Sequence, residues 1–274
     1  MIDVSICIPT YNQTKFLKKT LDSILIQSYV NYEIIITDDS NTNDVENLVH
    51  DYLRIFNDKL IYFKNTESLG APKNWNHAMS LAKGRWIKIL HHDDWFCDKN
   101  SLLKMMEKTT ESSDTLIFAG IKGDYFSEKR QYINLPKKEM VDEITKNPFT
   151  LVWGNYIGPP STILFSKCEV LFDENLKWLV DIDFYLQLLL KHNRKLTFVN
   201  EVLFENCIEE HNISNKCFQN KEVELREFNF IFRKYYPKSN LIQKILFFQK
   251  LKKQISTYAK VSYIEIFFHY FKKK

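Results

Sequence analysis

"WIKILHHDDWF", Trp86 to Phe96, sets an apolar run against two histidines, two aspartates and two further aromatics. Four of the five residues in "WIKIL" are apolar, and the run is short enough to be a buried strand. The polar cluster then falls at the strand's C-terminal tip. On either side, strand-like and helix-like patterns alternate. Val4 to Pro9 is a short strand, and Lys15 to Gln27 places Leu17, Leu21, Ile24 and Leu25 on one helical face. Strands follow at Tyr32 to Thr37 and Leu60 to Lys64, with helices at Val45 to Phe56 and from about Pro72 to Lys83. Pro72 suits a first helical turn and Gly84 a C-terminal exit. This order predicts an α/β fold, a mixed and mainly parallel sheet flanked by helices. Ligands bind at the strands' C-terminal edge in such folds.

Beyond Asp98 a helix and the strand "TLIFAG" continue the pattern, whereas Lys122 to Lys146 reads as polar and irregular. Regularity returns at "STILFS" (Ser161 to Ser166), a nearly all-apolar helix from about Ile182 to Leu190, and short strands near Leu196 to Val199 and Val202 to Glu205. The second half thus adds to the same sheet. Phe218 to Tyr236 and Leu241 to Phe271 read as terminal helices broken at Pro237. We therefore expect a domain over residues 1–215 and a helical extension over 216–274.

The 274 residues, 45% of them apolar, carry a formal charge of +4 that is unevenly spread. Ser239 to Lys274 holds eight lysines and one acid, net +7, which leaves −3 for the rest. A uniformly basic body would point to nucleic acid, and this one does not. The basic, apolar tail instead suits an anionic membrane surface, with a helix packed on the core as the other reading. Five cysteines without C-x-x-C spacing exclude a disulfide framework or a thiolate zinc site. The N-terminus runs straight into a strand pattern without a signal-like segment. A cytoplasmic location is expected, peripheral on the inner face of the membrane if the tail binds there.

Nucleotide fingerprints built on glycine are absent: the six glycines form neither G-x-G-x-x-G nor G-x-x-x-x-G-K-[ST]. Carboxylates at strand ends take their place, Asp38 and Asp39 in "ITDDS" and Asp93 and Asp94 in "HHDDW". Hard divalent cations such as Mn²⁺ or Mg²⁺ favour carboxylate and phosphate oxygens, so one pair suits a metal-bound diphosphate. Adjacent acids at the end of an apolar strand are costly without a cation.

Several ordered segments now add up. "ICIPTYNQTKFLKKTLDSILIQSYVNYEIIITDDS", "LGAPKNWNHAMSLAKGRWIKILHHDDWF", "GPPSTILF", "WLVDIDFYLQLLLK" and "CIEEHNIS" together resemble the family 2 glycosyltransferases, which have the GT-A fold. The resemblance covers roughly residues 2 to 215. It implies a nucleoside-diphosphate sugar, usually a UDP-sugar, lying across the strand ends. By that resemblance Pro9, Thr10, Tyr11 and Asn12 cradle the nucleotide, with Tyr11 stacking on the base, and Asp39, beside Asp38, accepts a hydrogen bond from the base. Gly70, Lys73 and Asn74 line the donor pocket. "HHDDW" falls on the family's D-x-D metal motif, with His91 where the first aspartate is expected. His91 and His92 are then assigned to the nucleotide sugar, and Asp93 and Asp94 to the metal, joined by a downstream histidine, His211. Asp181 falls on the catalytic base, with Val180 where a glutamate often stands. Gly158, Pro159, Pro160, Ser161 and Asp183 are assigned to the acceptor side.

The chemistry implied is an inverting transfer to a hydroxyl of a saccharide or lipid-linked saccharide, in bacterial surface polysaccharide synthesis. His91 and Val180 keep a second reading open, a catalytically inactive binding or scaffolding relative. A nucleotidyltransferase would want a glycine-rich, arginine-bearing opening loop, which "IPTYNQTKF" lacks.

Overall fold

Chain order is β1 (Val4–Thr10), α1 (Thr14–Leu25), β2 (Tyr32–Asp38), α2 (Asp44–Phe56), β3 (Leu60–Lys64), α3 (Ala71–Leu81), β4 (Trp86–Ile89), β5 (Asp94–Phe96) and α4 (Ser101–Glu107). It continues with β6 (Thr115–Tyr125), β7 (Arg130–Asn134), α5 (Lys138–Lys146), β8 (Ile163–Ser166), α6 (Val180–Leu186), β9 (Lys195–Ile208), α7 (Lys221–Tyr235) and α8 (Leu241–Tyr258). These elements come from a computed structural model that describes residues 1–110, 115–125, 130–192, 194–208, 217, 220–235 and 240–258. Pro237 and the chain beyond 258 lie outside the described residues.

One sheet carries the strand order β3-β2-β1-β4-β8-β6-β9-β5, with β7 also paired to β6. β3, β2, β1 and β4 are mutually parallel, and β8 enters antiparallel between β4 and β6. β1 and β2 are buried at every position, as strands covered on both faces must be. Alternation sorts their side chains. Ile6, Ile8, Ile34 and Ile36 pack with α1, α2 and α4 through Leu17, Leu21, Val49 and Met105. Cys7, Ile35, Ile87 and Ile89 pack on the opposite face with α3, α5, α6 and α7 through Ala78, Ile144, Phe184 and Ile231. The mixed sheet flanked by helices expected from the sequence is present.

Three segments differ from expectation. The stretch read as irregular contains β7 and α5, and α5 buries only Val141 and Ile144 among charged neighbours, too few apolar positions to announce a period. The two short strands near 196–205 are a single strand, β9, whose pairing with β6 steps from Val199 to Val202. Asn200 and Glu201 form that bulge, and their polarity broke the pattern. The helix expected to run to Leu190 changes pitch, because Gln187–Lys191 is a π turn.

Candidate active site

The C-terminal ends of β1, β2 and β4 lie side by side, with Thr10 in register with Asp38 and Cys7 with Ile89. At the β2 end, Asp38 is fully buried and accepts hydrogen bonds from the Ser40 amide (2.9 Å) and the Tyr62 hydroxyl (2.7 Å). Asp39 holds the loop before α3. One of its oxygens accepts from Asn65 Nδ2 (3.0 Å) and the Leu69 amide (2.7 Å), the other from Ser68 Oγ (2.8 Å) and the Gly70 amide (2.9 Å). Burial alone would raise its pKa, and these four bonds reverse the sign and hold it below the usual carboxylate range. A carboxylate has about four acceptor positions, so in this state Asp39 is filled by its own loop. Gly70 makes that geometry available, since its φ of +81° disfavours a side chain.

Beside it, Asn74 is buried and ties the strands together, donating to the Thr37 and Thr10 carbonyls and accepting from Asn65. Asn12, at φ 48°, donates its amide to Ser40 Oγ and turns the chain away from β1. Tyr11 stands 49% exposed at this rim, available to a flat ligand. Thr10 Oγ1 is buried without a hydrogen-bond partner. Lys73, expected to line the donor pocket, is exposed on the first turn of α3 and sits 3.9 Å from Glu174.

The turn after β4 is fixed from two sides. Thr20 of α1 donates its hydroxyl toward the carbonyls of His92 (3.0 Å) and Asp94 (2.9 Å), and His92 Nδ1 lies 3.2 Å from the Pro9 carbonyl. The turn does not lead directly into a helix, because Asp94 opens β5 and pairs antiparallel with Asn206 of β9. Ligand atoms of His91, Asp93 and Asp94 lie within 4.8 Å of one another. His91, expected on the nucleotide side, is therefore grouped with the carboxylates. Its ring packs on Trp75 at 4.6 Å, its amide donates to Ser161 Oγ (2.9 Å), and its Nε2 is buried without a hydrogen-bond partner. Burial pushes its pKa down to about 4, so the imidazole is neutral and its lone pair is available. Asp94 moves the other way. Burial and the neighbouring Asp93 push it up to about 8, against hydrogen bonds from Ser161 and Asn206. A pair of carboxyls in this setting holds either a proton or a cation. The neutral imidazole, whose Nδ1 lies 3.9 Å from Asp94 Oδ2, and the two carboxyls fit a divalent ion that accepts nitrogen as well as oxygen, which suits Mn²⁺ better than Mg²⁺.

Beneath this cluster lies Lys88, fully buried, its Nζ hydrogen-bonded to the Ser161 and Ile163 carbonyls and 3.9 Å from the Phe204 ring centroid. Burial drives its pKa well down. It fastens β4 to the segment bearing Ser161, which in turn orients His91 and Asp94. Sequence reading gave Lys88 no role, although a single lysine inside "WIKIL" was a visible signal.

The far side of the site is reached through Tyr185. Its hydroxyl donates to the Gly158 carbonyl (2.8 Å), and its phenol is influenced by the charges of both Asp181 and Asp94. Gly158, at φ +100°, begins a rigid segment in which Thr162 Oγ1 donates toward the Pro159 and Ile157 carbonyls and Pro160 is buried. Asp181 lies in the first turn of α6, partly buried. Among the described residues no side chain pairs with its carboxyl, and burial raises its pKa to about 7. Asp183, expected on the acceptor side, is turned away from it. It has no exposed surface and its carboxyl is engaged by Lys234, Tyr235 and Gln187, so it cannot touch an acceptor. His211 lies outside the described residues. Thr10, Asp39 and the His91–Asp94 turn thus stand at the C-terminal ends of β1, β2 and β4, Ser161 meets that turn through its hydroxyl, and Tyr185 of α6 lies within reach of the charges of both Asp94 and Asp181.

The model of the family described as "Glycosyl transferase family 2" matches residues 5–168. A UDP-Glc:α-D-GlcNAc-diphosphoundecaprenol β-1,3-glucosyltransferase of Escherichia coli is 35% identical over 151 residues, 55% of this chain and 54% of that protein. The chain thus spans about half the length of that relative. Among solved structures, Staphylococcus aureus TarS 1–349 in complex with UDP-GlcNAc superposes with a TM-score of 0.71 at 18% identity, covering 97% of this chain and 75% of TarS. A Pyrobaculum calidifontis mannosyltransferase in complex with GDP-Man and Mn²⁺ gives 0.64 at 13% identity, covering 96% and 77%.

Proposed function

The chain belongs to glycosyl transferase family 2, and from that membership we propose that it moves a sugar from a UDP-sugar to a hydroxyl of a saccharide or lipid-linked saccharide, with inversion at the anomeric carbon. The observation that carries this reading is the Asp181 carboxyl, paired with no described side chain and raised to about 7, whose charge reaches Tyr185 as does that of Asp94 in the His91, Asp93 and Asp94 cluster. A base with a pKa near the working pH combines availability with proton affinity. Asp181 takes the proton from the acceptor hydroxyl as that oxygen attacks the anomeric carbon. The bond to the diphosphate breaks on the opposite face. Asp93, Asp94 and His91 would hold a divalent cation, and when bound it would neutralise charge developing on the departing diphosphate. Tyr11 stacks on the base, while Thr10, Asn12 and the Asp39 loop bound the nucleotide. Because Asp39 is filled by its loop, the base gains its hydrogen bond only as that loop gives up one of its own.

The UDP-sugar donor is supported by the names of the E. coli relative and of the TarS complex, and the lipid-linked acceptor by the former. We place the activity in bacterial surface polysaccharide synthesis. The expected boundary at residue 215 does not separate α7, which packs in the core with α6, and the part of the extension that meets the membrane begins with α8. Leu241 and Ile245 are exposed on one side of α8, and lysines crowd the chain from Lys250 onward. No helix among the described residues is long and apolar enough to cross a membrane, so contact would be along the surface.

Thermal-shift measurements with UDP and GDP, each with and without Mn²⁺, test the reading. UDP with Mn²⁺ should raise Tm, by a few degrees at ligand concentrations about a hundredfold over Kd, and Asp93→Ala should remove the gain. Equal stabilisation with and without the ion, or by GDP alone, would overturn the metal or the donor assignment respectively.

A further inference from the structure

The helix that carries Asp181 is held by side chains from an element about fifty residues later in the chain. Glu227 of α7 is fully buried, and its carboxylate accepts three consecutive amides at the entrance to α6: Lys177 (2.9 Å), Trp178 (2.8 Å) and Leu179 (2.9 Å). Leu179 is the N-cap of α6 and supplies no capping side chain of its own. Glu227 therefore caps α6 from another helix, satisfying the N-cap amide of Leu179 and the two amides before it and placing negative charge where the helix dipole favours it.

The second attachment is to Asp183. Tyr235 donates its hydroxyl to Asp183 Oδ1 (2.8 Å), and Lys234 Nζ bonds Asp183 Oδ2 (2.8 Å) together with Asp173 (2.8 Å). The two attachment points, Leu179 and Asp183, lie two residues to either side of Asp181. Asp181 itself has no side-chain partner among the described residues, so its position is set by the backbone that α7 fixes. Phe228, Ile231 and Phe232 of α7 are buried in the same core as Ile182 and Phe184, which keeps α7 rigid against α6.

We propose that α7 is a positioning clamp for the transfer reaction, with Glu227, Lys234 and Tyr235 as positioning residues that act through α6. The proposal rests on the reading of Asp181 as the base. Neither attachment touches the nucleotide or cation residues, so the clamp acts on turnover and not on donor binding.

The experiment compares Tyr235→Phe, Glu227→Gln and Asp181→Asn by steady-state transfer kinetics, UDP–Mn²⁺ calorimetry and melting temperature. Tyr235→Phe removes one hydroxyl and Glu227→Gln reverses half of the cap. Each should lower kcat by roughly tenfold to a hundredfold, the range that slight misplacement of a reacting group produces, with donor KM and UDP affinity within about twofold. Lys234→Arg, which keeps a donor to both aspartates, should retain most of the activity. A kcat within about twofold of wild type in both Tyr235→Phe and Glu227→Gln, with Asp181→Asn inactive, would sink the clamp and leave the base standing. Activity retained in Asp181→Asn would instead remove the base reading itself. If Glu227→Gln does not fold, Tyr235→Phe decides alone: a loss of kcat and UDP affinity in parallel would show a general structural role and overturn the proposal.

Discussion

The two halves of the site treat their carboxylates in opposite ways. At the end of β2, Asp39 receives four hydrogen bonds, all from Asn65 to Gly70, and is held in its ionised form. At the start of α6, Asp181 receives none from any described side chain and is pushed toward its neutral form by burial alone. One group is built to stay charged and hold a loop. The other is left underprovided, which gives it affinity for a proton. Saturation thus separates a scaffold carboxylate from a reactive one more clearly than position in the sequence does.

The sharpest way to break this contrast is to neutralise the reactive partner. Asp181→Asn should lower transfer by about 10²- to 10⁴-fold, the usual worth of a positioned base, with UDP affinity retained. A base at Asp181, as proposed, must be ionised, so wild-type kcat/KM should fall as pH drops below about 7 and level off above it. The stability consequence has the opposite direction. A carboxyl whose folded pKa lies above its unfolded value of about 4 burdens the fold once pH exceeds that value, and most above about 7. Asp181→Asn should therefore melt near wild type at pH 4 and above it at pH 8, by ~2 kcal/mol after allowance for its partial exposure. A pH-independent difference would show that Asp181 is not underprovided.

A smaller effect is expected on the saturated side. Asp39→Asn turns an amide N–H₂ toward donors that need acceptors, which should cost ~2 kcal/mol in stability and about tenfold in UDP affinity, while kcat at saturating donor stays near wild type. A fall in kcat with unchanged affinity would erase the distinction between the halves. The smallest change is expected at Lys88→Met, which removes a buried amine and its hydrogen bonds to the Ser161 and Ile163 carbonyls. These contributions partly cancel, giving a loss of ~1–2 kcal/mol. Calorimetry should show Mn²⁺ binding weakened severalfold, since Ser161 no longer orients His91 and Asp94 as firmly.

How much of this was legible in the chain follows the same division. β1 to β4 and α1 to α3 declare themselves through local periods, and the carboxylates of "ITDDS" and "HHDDW" sit at strand ends where local pattern places them. Asp181 was identified by resemblance, but what distinguishes it from Asp183 was not. That depends on Tyr235 and Lys234, some fifty residues away, which turn Asp183 inward. β5 escaped notice for a similar reason, being three residues long and existing only through pairing with β9. His91 was assigned away from the metal because its residue type differs from the motif. The geometry groups it with the acids, as its place at the first position of the motif's spacing allows although its residue type does not announce it.

The cap supplied by Glu227 has a consequence for how the molecule comes into being. Synthesis proceeds from the N-terminus, and domains can begin folding while the chain is still emerging. The strands that receive the nucleotide are available early, whereas the three amides before α6 must wait for residue 227. On the proposed roles, a nascent chain would accordingly gain the means to hold its donor before the means to spend it, and competence to turn over would wait for α7.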